Sequence, residues 1–583
     1  MPRDYLAVGR KIMEKWMITA KRADFQAIAQ QFGIDQVTAR LIRNRDVVGD
    51  EAIHEYLHGT REQMHSPWLM KDMEKTVDIL TEKIRAGSRI RIIGDYDIDG
   101  VMSTYILLKS LEGLGADVDH VIPNRITDGY GINEHLIEQA YQEGRDTIIT
   151  CDNGIAARTQ IERAKALGMT VLVTDHHEVP FEDTTEGRIE VLPPADAIIN
   201  PKQKACTYPF SSLCGAGVAL KLVEALYQRL QPDTDIVDRM LEYAAIATIG
   251  DVMDLVKENR IIVKEGLKRL HHTTNMGLLE LIRVNNLEPQ IISPYHIGFV
   301  IGPCLNASGR LDTARRSLKL LCADNQEEAA RLAGDLKSLN DSRKEMTNQG
   351  VEQAIRLVET TDLKNDSVLV VYLPECHESL AGIIAGRIRE KYHKPSFVLT
   401  QGEEGVKGSG RSTECYSMYE KLCECREYLT KFGGHPMAAG LSLEEDNIEP
   451  FRRKLNELSG LEPEDFIEKV SIDVPMPINY IRKELIQELK ILEPFGKGNE
   501  KPVFAQKGLR VLRSRVLGSG RNVVKMQVAD EAGYTMEAIY FGDGDKFCED
   551  IRGKQTLSVV YYPEINSYMG RETIQIVIRH YQG

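Results

Sequence analysis

The sequence predicts an α/β protein, with two α/β lobes joined by a long helix and followed by a small β-barrel. Short β-rich runs alternate with helical stretches from residue 88 to about 200, and a second such unit lies beyond a long helical stretch at Asn325–Thr361. From about residue 478 to the end, many short β-like runs follow one another. A chain of 583 residues is too long for one core, so we expect two to four domains.

The first lobe is predicted from four β-rich runs, RIRII, DTIIT, TVLVT and DAIIN, which are separated by helical stretches such as Val101–Leu114 and Ala156–Leu167. This alternation is typical of a parallel sheet with helices on both faces. The polar clusters GDYDIDG, CDNG and TDHHE directly follow three of the strands. Because sites in open α/β sheets lie at the carboxyl ends of the strands, we expect these clusters to face one crevice.

The remaining elements follow in order. LEYAAIATIGDVMD reads as a helical or buried segment that ends in acids, and the second lobe begins with strand DSVLVVYL, helix LAGIIAGRIREKY and strand SFVLT. Glu462–Pro477 reads as a linker, and the barrel contains LRVLRSRVLG, NVVKMQV, YTMEAIYF, TLSVVYYP and TIQIVI. We therefore expect an N-terminal helical segment, a first α/β domain, a helical region with the connector, a second α/β domain and a β-barrel at residues 1–70, 71–255, 256–345, 346–461 and 462–583.

Composition limits the partners and the compartment. A net charge of −14 disfavours a general, non-specific grip on nucleic acid or on an anionic membrane, so any basic surface must be local. The sequence has no leader-like start and no apolar run of membrane-spanning length, which predicts no membrane association. Its ten cysteines form no C-x-x-C pair, and we expect a reducing cytoplasm.

Three aspartates, Asp95, Asp97 and Asp99, lie within five positions of GDYDIDG. Like charges this close repel by roughly 4 kcal/mol per pair at 4 Å and moderate dielectric. A single aspartate here would be a helix N-cap or a turn former, and Asp99 fits that interpretation well. Asp152 and Asp251 also follow apolar runs, and metal binding explains the whole set better.

Asp95, Asp97, Asp152 and Asp251 carry four formal negative charges, which two divalent cations would neutralise. Carboxylate and imidazole ligands without thiolate suit Mn²⁺, then Mg²⁺, and Zn²⁺ less. Two such ions about 3.5–4 Å apart would clamp the attacking and leaving oxygens of a phosphoryl displacement.

Two adjacent histidines need separate roles, because neighbouring side chains at a strand end diverge. His176 is predicted to be a metal ligand, and His177 a donor to the phosphate or the leaving oxygen. The alternative is an ordinary surface or core histidine pair, but Asp175 is placed to orient an imidazole.

Four motifs occur in order along the chain: GDYDIDG, CDNG, the triplet Asp175-His176-His177 and IGDV. In these motifs the chain resembles the DHH phosphoesterase superfamily. GPCLNASGRL, GSGRS and FGGHPMAAGLSL resemble later motifs of its RecJ branch, and LEPFGKGNEKPVF resembles the segment that leads into the RecJ OB-fold. The resemblance spans roughly residues 70–580 and implies lobes of the DHH and DHHA1 types and an OB-fold barrel.

The resemblance implies a monomeric exonuclease that degrades single-stranded DNA from the 5′ end, releases mononucleotides, depends on Mg²⁺ or Mn²⁺ and acts in recombination and repair with helicase and single-strand-binding partners. It assigns the metals to Asp95, Asp97, Asp152, His176 and Asp251. It places His177 and His435 on the scissile phosphate, and it assigns the terminal phosphate or nearby backbone to Asn306, Arg310, Ser409 and Arg411.

Elementary chemistry agrees with the last assignments, because Arg310 and Arg411 can fork onto phosphate oxygens. Gly433 and Gly434 permit close approach of the backbone to a phosphate, with His435 as donor. The alternatives are a structural ion pair for Arg310, a solvated loop position for Arg411 and a simple turn for the glycines.

Three departures from the pattern stand out. Arg91 occupies the position four residues before the first aspartate where smaller relatives carry histidine, which predicts weaker holding of one metal. Cys304 replaces an arginine expected in the RecJ pattern, so part of the DNA-backbone contact is in question. CHESLAGIIAGR is looser than the usual motif, although His377 and Arg387 remain.

Within the barrel, a stretch from Lys501 to Ala529 carries seven basic residues and no acid, and it includes Arg513 and Arg515. OB-folds bind single strands through a positive groove with aromatic stacking, so this stripe is predicted to bind DNA; the alternative is an ordinary solvated sheet face. Nearby aromatic residues are expected to serve the core for the most part: Tyr540, Phe541, Tyr561 and Tyr562.

A narrow groove between the two lobes would admit single strands and exclude duplex. Two rival functions stay open: a DHH phosphodiesterase of short oligonucleotides, cyclic dinucleotides or pyrophosphate, and a non-catalytic nucleic-acid-binding scaffold. The first would not need the barrel, and the second should lack the metal carboxylates, all of which are present.

Overall fold

A computed structural model describes residues 14–124, 128, 131–184, 187–231, 235–402, 405–568 and 570–583. The chain divides into two compact units. One is Met64–Phe466, and the other combines Met1–Gln63 with Ile467–Gly583. Within the described residues, no helix has both the length and the apolar character needed to cross a lipid bilayer.

The N-terminal segment contains one strand and three helices: β1 (Glu14–Ile18), α1 (Phe25–Phe32), α2 (Gln36–Asn44) and α3 (Asp50–His58). Helices α1 and α2 begin after Asp24 and Asp35, whose carboxylates accept hydrogen bonds from the backbone of the first turn. The segment that was expected to be helical thus contains three helices and also the strand β1. That strand pairs with a segment more than 400 residues away, which no local pattern reveals.

The first α/β lobe has the predicted parallel sheet, in the order β3-β2-β4-β5-β8. Ile92, Ile149 and Leu172 point to one face, whereas Ile93, Ile148 and Val171 point to the other, so both faces are buried under helices. Its elements are α4 (Met73–Arg85), β2 (Arg89–Ile93), α5 (Ile98–Gly113), β3 (Asp117–Val121), α6 (Glu134–Gln142), β4 (Thr147–Cys151), α7 (Arg158–Ala166), β5 (Thr170–Thr174), the separate hairpin β6 (Phe181–Thr184) and β7 (Gly187–Glu190), β8 (Ala197–Ile199), α8 (Gly215–Leu230) and α9 (Ile236–Gly250).

Strand order reverses between β2 and β4, since the chain runs from β2 outward to β3 and then returns to the other side. Such a switch point opens a crevice beyond the carboxyl ends of the two strands. GDYDIDG follows β2 and CDNG follows β4, so the switch point brings the two motifs together.

A helical region leads to the predicted long helix: α10 (Lys257–Leu270), α11 (Met276–Val284), α12 (Pro294–His296), a π-helix at Ile297–Ile301, α13 (Gly302–Leu311), α14 (Arg315–Leu321) and α15 (Gln326–Thr360). Leu332 and Leu336 of α15 lie in the core of the first lobe, whereas Ala354 and Val358 lie in the core of the second. This helix therefore connects the two lobes, as predicted.

The second lobe contains a mixed sheet in the order β12-β13-β11-β10-β9, in which only β9 and β10 run parallel. The predicted strands and helix are present. Its elements are β9 (Leu369–Tyr372), α16 (Ala381–Tyr392), β10 (Ser396–Gly402), β11 (Gly405–Arg411), α17 (Met418–Glu424), β12 (Lys431–His435), β13 (Ala438–Leu443) and α18 (Ile448–Glu457).

The C-terminal part forms the predicted barrel, with strand order β15-β16-β17-β18-β20-β19 and a closing pairing between β16 and β19. The linker predicted at Glu462–Pro477 contains two strands, because Val470 and Ile472 pack against the barrel residue Val560 while β14 pairs with β1. The elements are β14 (Glu468–Ile472), β15 (Val474–Pro475), α19 (Lys483–Leu489), β16 (Phe504–Leu517), β17 (Val523–Ala529), β18 (Thr535–Phe541), α20 (Gly544–Ile551), β19 (Leu557–Tyr568) and β20 (Arg571–Gln582).

Candidate metal centre

The acidic side chains of the first lobe gather at the switch point. Potential ligand atoms of Asp95, Asp97 and Asp152 all lie within 4.8 Å of one another. The same limit holds for the group Asp152, His176 and His177, and for the group Asp99, His176 and Asp251. The structure thus brings together all five residues predicted to hold the metals.

Local backbone geometry fixes the cluster. Asp97 caps α5, because its Oδ1 accepts hydrogen bonds from the backbone N–H of Asp99 at 2.9 Å and of Gly100 at 3.0 Å. Asp152 has a φ of +61°, which turns the chain sharply after β4. Gly215 packs directly on Asp152, and a Cβ there would lie 2.7 Å from the Asp152 Cβ.

Burial makes the metal-free cluster costly. It raises the pKa of Asp95 to about 8, with the charge of Asp97 as the next cause. Burial, followed by the charges of Asp99 and Asp97, raises the pKa of Asp251 to about 8, and the pKa of Asp152 is raised well above its usual value. Because so many buried carboxylates lie close together, the cluster needs positive charge to stabilise their ionised forms.

The donor set fits a pair of hard divalent cations. Burial lowers the pKa of His176, which keeps its imidazole neutral and available as a ligand. Its Nε2 lies 3.0 Å from Oδ1 of Asp152 and 3.9 Å from Oδ2 of Asp251. Four carboxylates with one imidazole and no thiolate match Mn²⁺ and Mg²⁺.

His177 is held by Asp175. The Asp175 carboxylate lies 2.8 Å from His177 Nδ1 and accepts hydrogen bonds from the backbone N–H groups of His176 and Ile155. Burial works against ionisation of Asp175, but the His177 side chain and the hydrogen bonds from the backbone N–H groups of Ile155 and His177 hold its pKa below the usual range. The pKa of His177 is raised, because Asp175 outweighs the effect of burial.

Asp99 is the residue whose role the sequence interpretation missed. It was expected to cap its own helix, but its carboxylate accepts hydrogen bonds from the backbone N–H of Gly215 at 2.6 Å and of Ala216 at 2.8 Å, at the start of α8. Its Oδ2 lies 3.5 Å from His176 Nε2. The local sequence offers one sign of this role, the presence of a third acid in GDYDIDG.

Arg91 does not replace the missing histidine. Its buried guanidinium donates to Asp119 at 2.9 and 2.6 Å and also to Glu143. Burial opposes the charge, but these partners raise the pKa of Arg91 further. The side chain is therefore occupied by acids outside the cluster.

Helix α13 links the cluster to the second lobe. A Cβ on Gly309 would lie 2.4 Å from the carbonyl oxygen of Tyr96, the residue between Asp95 and Asp97. The next residue, Arg310, donates from Nη1 to the carbonyl oxygen of Ser379 at 3.0 Å. Arg310 thus lies between the acidic cluster and the second lobe.

Arg411 lies at the end of β11 against the first turn of α16, where a Cβ on Gly382 would be 2.8 Å from its Nη2. Burial and then the charge of Arg389 lower the pKa of Arg411. Because Arg411 and Arg389 are both cationic, a bound anion would stabilise the pair. Ser409, on the same strand, and Asn306, on α13, are both half-buried.

The glycine pair and His435 lie in the β12–β13 hairpin. Gly434 has a φ of +146°, and a Cβ there would be 2.5 Å from the carbonyl oxygen of Ala438, so only glycine fits. Gly433 has open space where a side chain would stand. His435 is exposed and is not among the described residues whose ligand atoms gather in the cluster.

Cys304 is buried between α13 and α15, with Sγ 3.4 Å from Nδ2 of Asn340. The thiol serves packing, and this position presents no cation to DNA. His377 Nδ1 accepts a hydrogen bond from the Ser379 N–H and so caps the turn before α16.

Acids partly neutralise the basic stripe of the barrel. Arg513 lies 3.2 Å from Glu537, and Arg521 pairs with Asp545 at 2.5 Å. Glu537 lies on β18, which β17 separates from the strand of Arg513, so its proximity could not be read from the local sequence. Arg515 is exposed and faces Lys525 across the β16–β17 ladder.

The aromatic residues of the barrel serve mainly the core, as predicted. Tyr561 and Tyr562 are buried, and Tyr540 stacks on Phe547 at 5.1 Å. Phe541 is the exception, with 52% of its surface exposed.

Fold and site together define a two-lobed phosphoesterase with a divalent-metal centre at the switch point of a parallel sheet. Three family models match consecutive parts of the chain: the DHH family N-terminal domain at residues 89–248, the DHHA1 domain at 365–460 and the RecJ OB domain at 472–580.

Curated relatives extend the match to nearly the whole chain. The single-stranded-DNA-specific exonuclease RecJ of Bacillus subtilis is 35% identical over 570 residues, which cover 97% of this chain and 70% of the relative. The Escherichia coli protein of the same name is 35% identical, with 88% of this chain and 90% of that protein covered. A crystal structure of RecJ from Thermus thermophilus in complex with Mn²⁺ has a TM-score of 0.83 at 26% identity, with 98% of this chain and 80% of that chain covered. The chain belongs to the RecJ family.

Proposed function

We propose that this protein is a metal-dependent exonuclease that degrades single-stranded DNA from the 5′ end, releases mononucleotides and acts in recombination and repair. The observation that carries the proposal is the convergence of Asp95, Asp97, Asp152, His176 and Asp251 at one switch point. The relatives described above are named as single-stranded-DNA-specific exonucleases.

Two divalent cations, Mn²⁺ or Mg²⁺, fit this donor set, and solved relatives contain one or the other. Asp95, Asp97, Asp152, His176 and Asp251 would hold them. When bound, they supply charge neutralisation, an activated water and polarisation of the phosphodiester. Their charge also offsets the repulsion that raises the pKa values of the buried carboxylates.

His177 acts on the reacting phosphate. Asp175 fixes the ring through Nδ1 and favours its protonated form, which leaves Nε2 to donate to a phosphoryl or leaving oxygen. Asp175 is a positioning residue in this scheme. His435, from the second lobe, is a second donor to the same phosphate.

The 5′ preference is assigned to the cationic and polar groups beside the cluster. Arg310 and Arg411 provide forked donors for a terminal phosphate, and Ser409 and Asn306 add neutral donors. Gly433 and Gly434 allow the DNA backbone to approach the β12–β13 hairpin closely.

The barrel contributes a second grip on single-stranded DNA through exposed cations such as Arg515, with Arg513 weakened by its pairing to Glu537. We extend the proposal to a monomer that works in the cytoplasm with a helicase and a single-strand-binding protein. Analytical ultracentrifugation tests whether the protein is a monomer, and co-purification tests whether it binds a helicase and a single-strand-binding protein.

Cleavage of long oligonucleotides labelled at the 5′ or the 3′ end, with Mn²⁺, Mg²⁺ or EDTA, tests the proposal. We expect labelled mononucleotide at once from 5′-labelled single strands and none from blunt duplex. Asp152→Ala should be inactive. Activity that survives EDTA or Asp152→Ala would refute the metal centre, and activity confined to dinucleotides would identify a short-oligonucleotide phosphodiesterase.

A further inference from the structure

Two exposed aromatic side chains, on α12 and on the π-helix that follows it, have no role in the scheme above. Phe299 is 65% exposed and Tyr295 is 52% exposed. Their ring centroids are 5.1 Å apart and their planes differ by 30°, so the two rings form one apolar surface. We refer to it as the Tyr295–Phe299 platform.

The backbone beneath the platform is rigidly anchored. Phe299 lies in the π-helix Ile297–Ile301, and the two end residues of this helix, Ile297 and Ile301, are fully buried in the core of the first lobe. Pro303 follows the π-helix and has no N–H to donate to the carbonyl of Phe299, four residues earlier, which favours the wider turn. Turns of this kind are frequent at functional sites.

Two contacts place the backbone that carries the platform against the segments that hold the acidic cluster. A Cβ on Gly302 would lie 3.3 Å from Ile98, the residue after Asp97. A Cβ on Gly298 would lie 3.8 Å from Ile249, two residues before Asp251. The π-helix therefore rests on the segments that carry two of the proposed metal ligands.

Charge favours a polyanion at this surface. The chain has a net charge of −14, yet the segment from Pro289 to Leu311 contains no aspartate or glutamate. It does contain Arg310, which lies at the junction with the second lobe. An apolar aromatic surface on an acid-free segment that packs against the metal-binding segments suits the bases of a nucleic acid strand.

We infer that the Tyr295–Phe299 platform stacks nucleobases of the single strand whose backbone is held at the metal centre. The inference rests on the proposed function and adds a recognition element to it. Aromatic faces accept any base, so the platform gives affinity without sequence preference. Bases of a duplex are already stacked and paired, so the platform also favours single strands.

Equilibrium binding of the full chain to a 5′-phosphorylated oligonucleotide, measured by fluorescence anisotropy in EDTA, tests the inference. We expect Tyr295→Ala/Phe299→Ala to raise the Kd by roughly ten-fold or more. The matched control is Tyr141→Ala, which removes a half-exposed aromatic from α6 of the same unit and should leave the Kd unchanged. An abasic oligomer of equal length should bind the wild type and the double variant equally.

A second variant keeps the test independent of any folding defect. The chain has only two tryptophans, so Tyr295→Trp introduces a reporter on the platform. Its fluorescence should be quenched by the oligonucleotide with bases and not by the abasic one, at unchanged Kd. Equal Kd values for wild type and double variant, or no base-dependent quenching, would overturn the inference. The platform and the proposed function fail in different ways. If the wild type binds and cleaves single strands and the variants behave as the wild type does, only the platform is refuted. If the wild type does not cleave single strands, the proposed function is refuted.

Discussion

Removal of the metal should make the acidic cluster a source of instability that grows with pH. Asp95 is only 1% exposed, and its pKa in the metal-free fold is raised to about 8. In the unfolded chain the same carboxyl ionises near pH 4. Between these two values the folded state keeps a proton that the unfolded state has released, so the free energy of unfolding falls as the pH rises.

The size of the effect follows from linkage. A single group in this window removes about 1.4 kcal/mol of stability per pH unit, so Asp95 alone costs about 3 kcal/mol between pH 5.5 and 7.5. The usual shift is about 2–4 °C per kcal/mol for 150–250 residues and is smaller for the larger unit here. We therefore expect the Tm of the metal-free protein to fall by about 3–6 °C over that range.

Differential scanning fluorimetry in EDTA at several pH values measures this fall. Asp95→Asn cannot ionise, so its Tm should decline less steeply, and it should gain less from added Mn²⁺ than the wild type does. Asp324→Asn, at an exposed position of the same unit, controls for the loss of a carboxylate. A wild-type Tm that stays flat or rises with pH, or an equal slope in Asp95→Asn, would refute the reasoning.

Three further predictions concern activity and binding. Asp175→Asn should remove the support that raises the pKa of His177, so kcat should fall by about 100-fold and its alkaline limb should move to lower pH; an unshifted pH–rate profile would contradict this role. In salt titrations of Kd, Arg515→Ala should reduce the slope of log Kd against log salt by about one, and Arg513→Ala by less because of its ion pair; equal slopes in both would count against a DNA-binding stripe. Arg411→Lys should lose the preference for a 5′-phosphate over a 5′-hydroxyl end, with KM for the phosphorylated substrate raised about ten-fold; a preserved preference would place the terminal phosphate elsewhere.

Local patterns were sufficient where an element's neighbours are close in the sequence. In the run RIRII, Ile92 and Ile93 are both apolar because the two faces of the strand are both buried, and the polar residues after the run mark the strand end. The same argument located Asp152 and His176. Their convergence then followed from the topology of a parallel sheet rather than from any distance in the sequence.

Partners that lie far apart in the sequence could not be predicted in this way. Strand β1 pairs with β14, from the other end of the chain, and Glu537 of β18 neutralises Arg513 of β16 across the intervening strand β17. Asp99 was misjudged for a different reason. A carboxylate at the start of a helix looks the same in sequence whether it accepts hydrogen bonds from that helix or from another one, and only the fold shows that Asp99 binds the start of α8.

The contact of Asp99 with the first N–H groups of α8 bears on how the protein acquires its ions. These N–H groups are part of the polypeptide, so neither a chelator nor dilution can remove them from Asp99. One carboxylate of the pocket thus stays compensated from the moment the chain folds. The start of α8 therefore anchors the Asp99 side of the pocket through the polypeptide itself, whether or not a cation is bound.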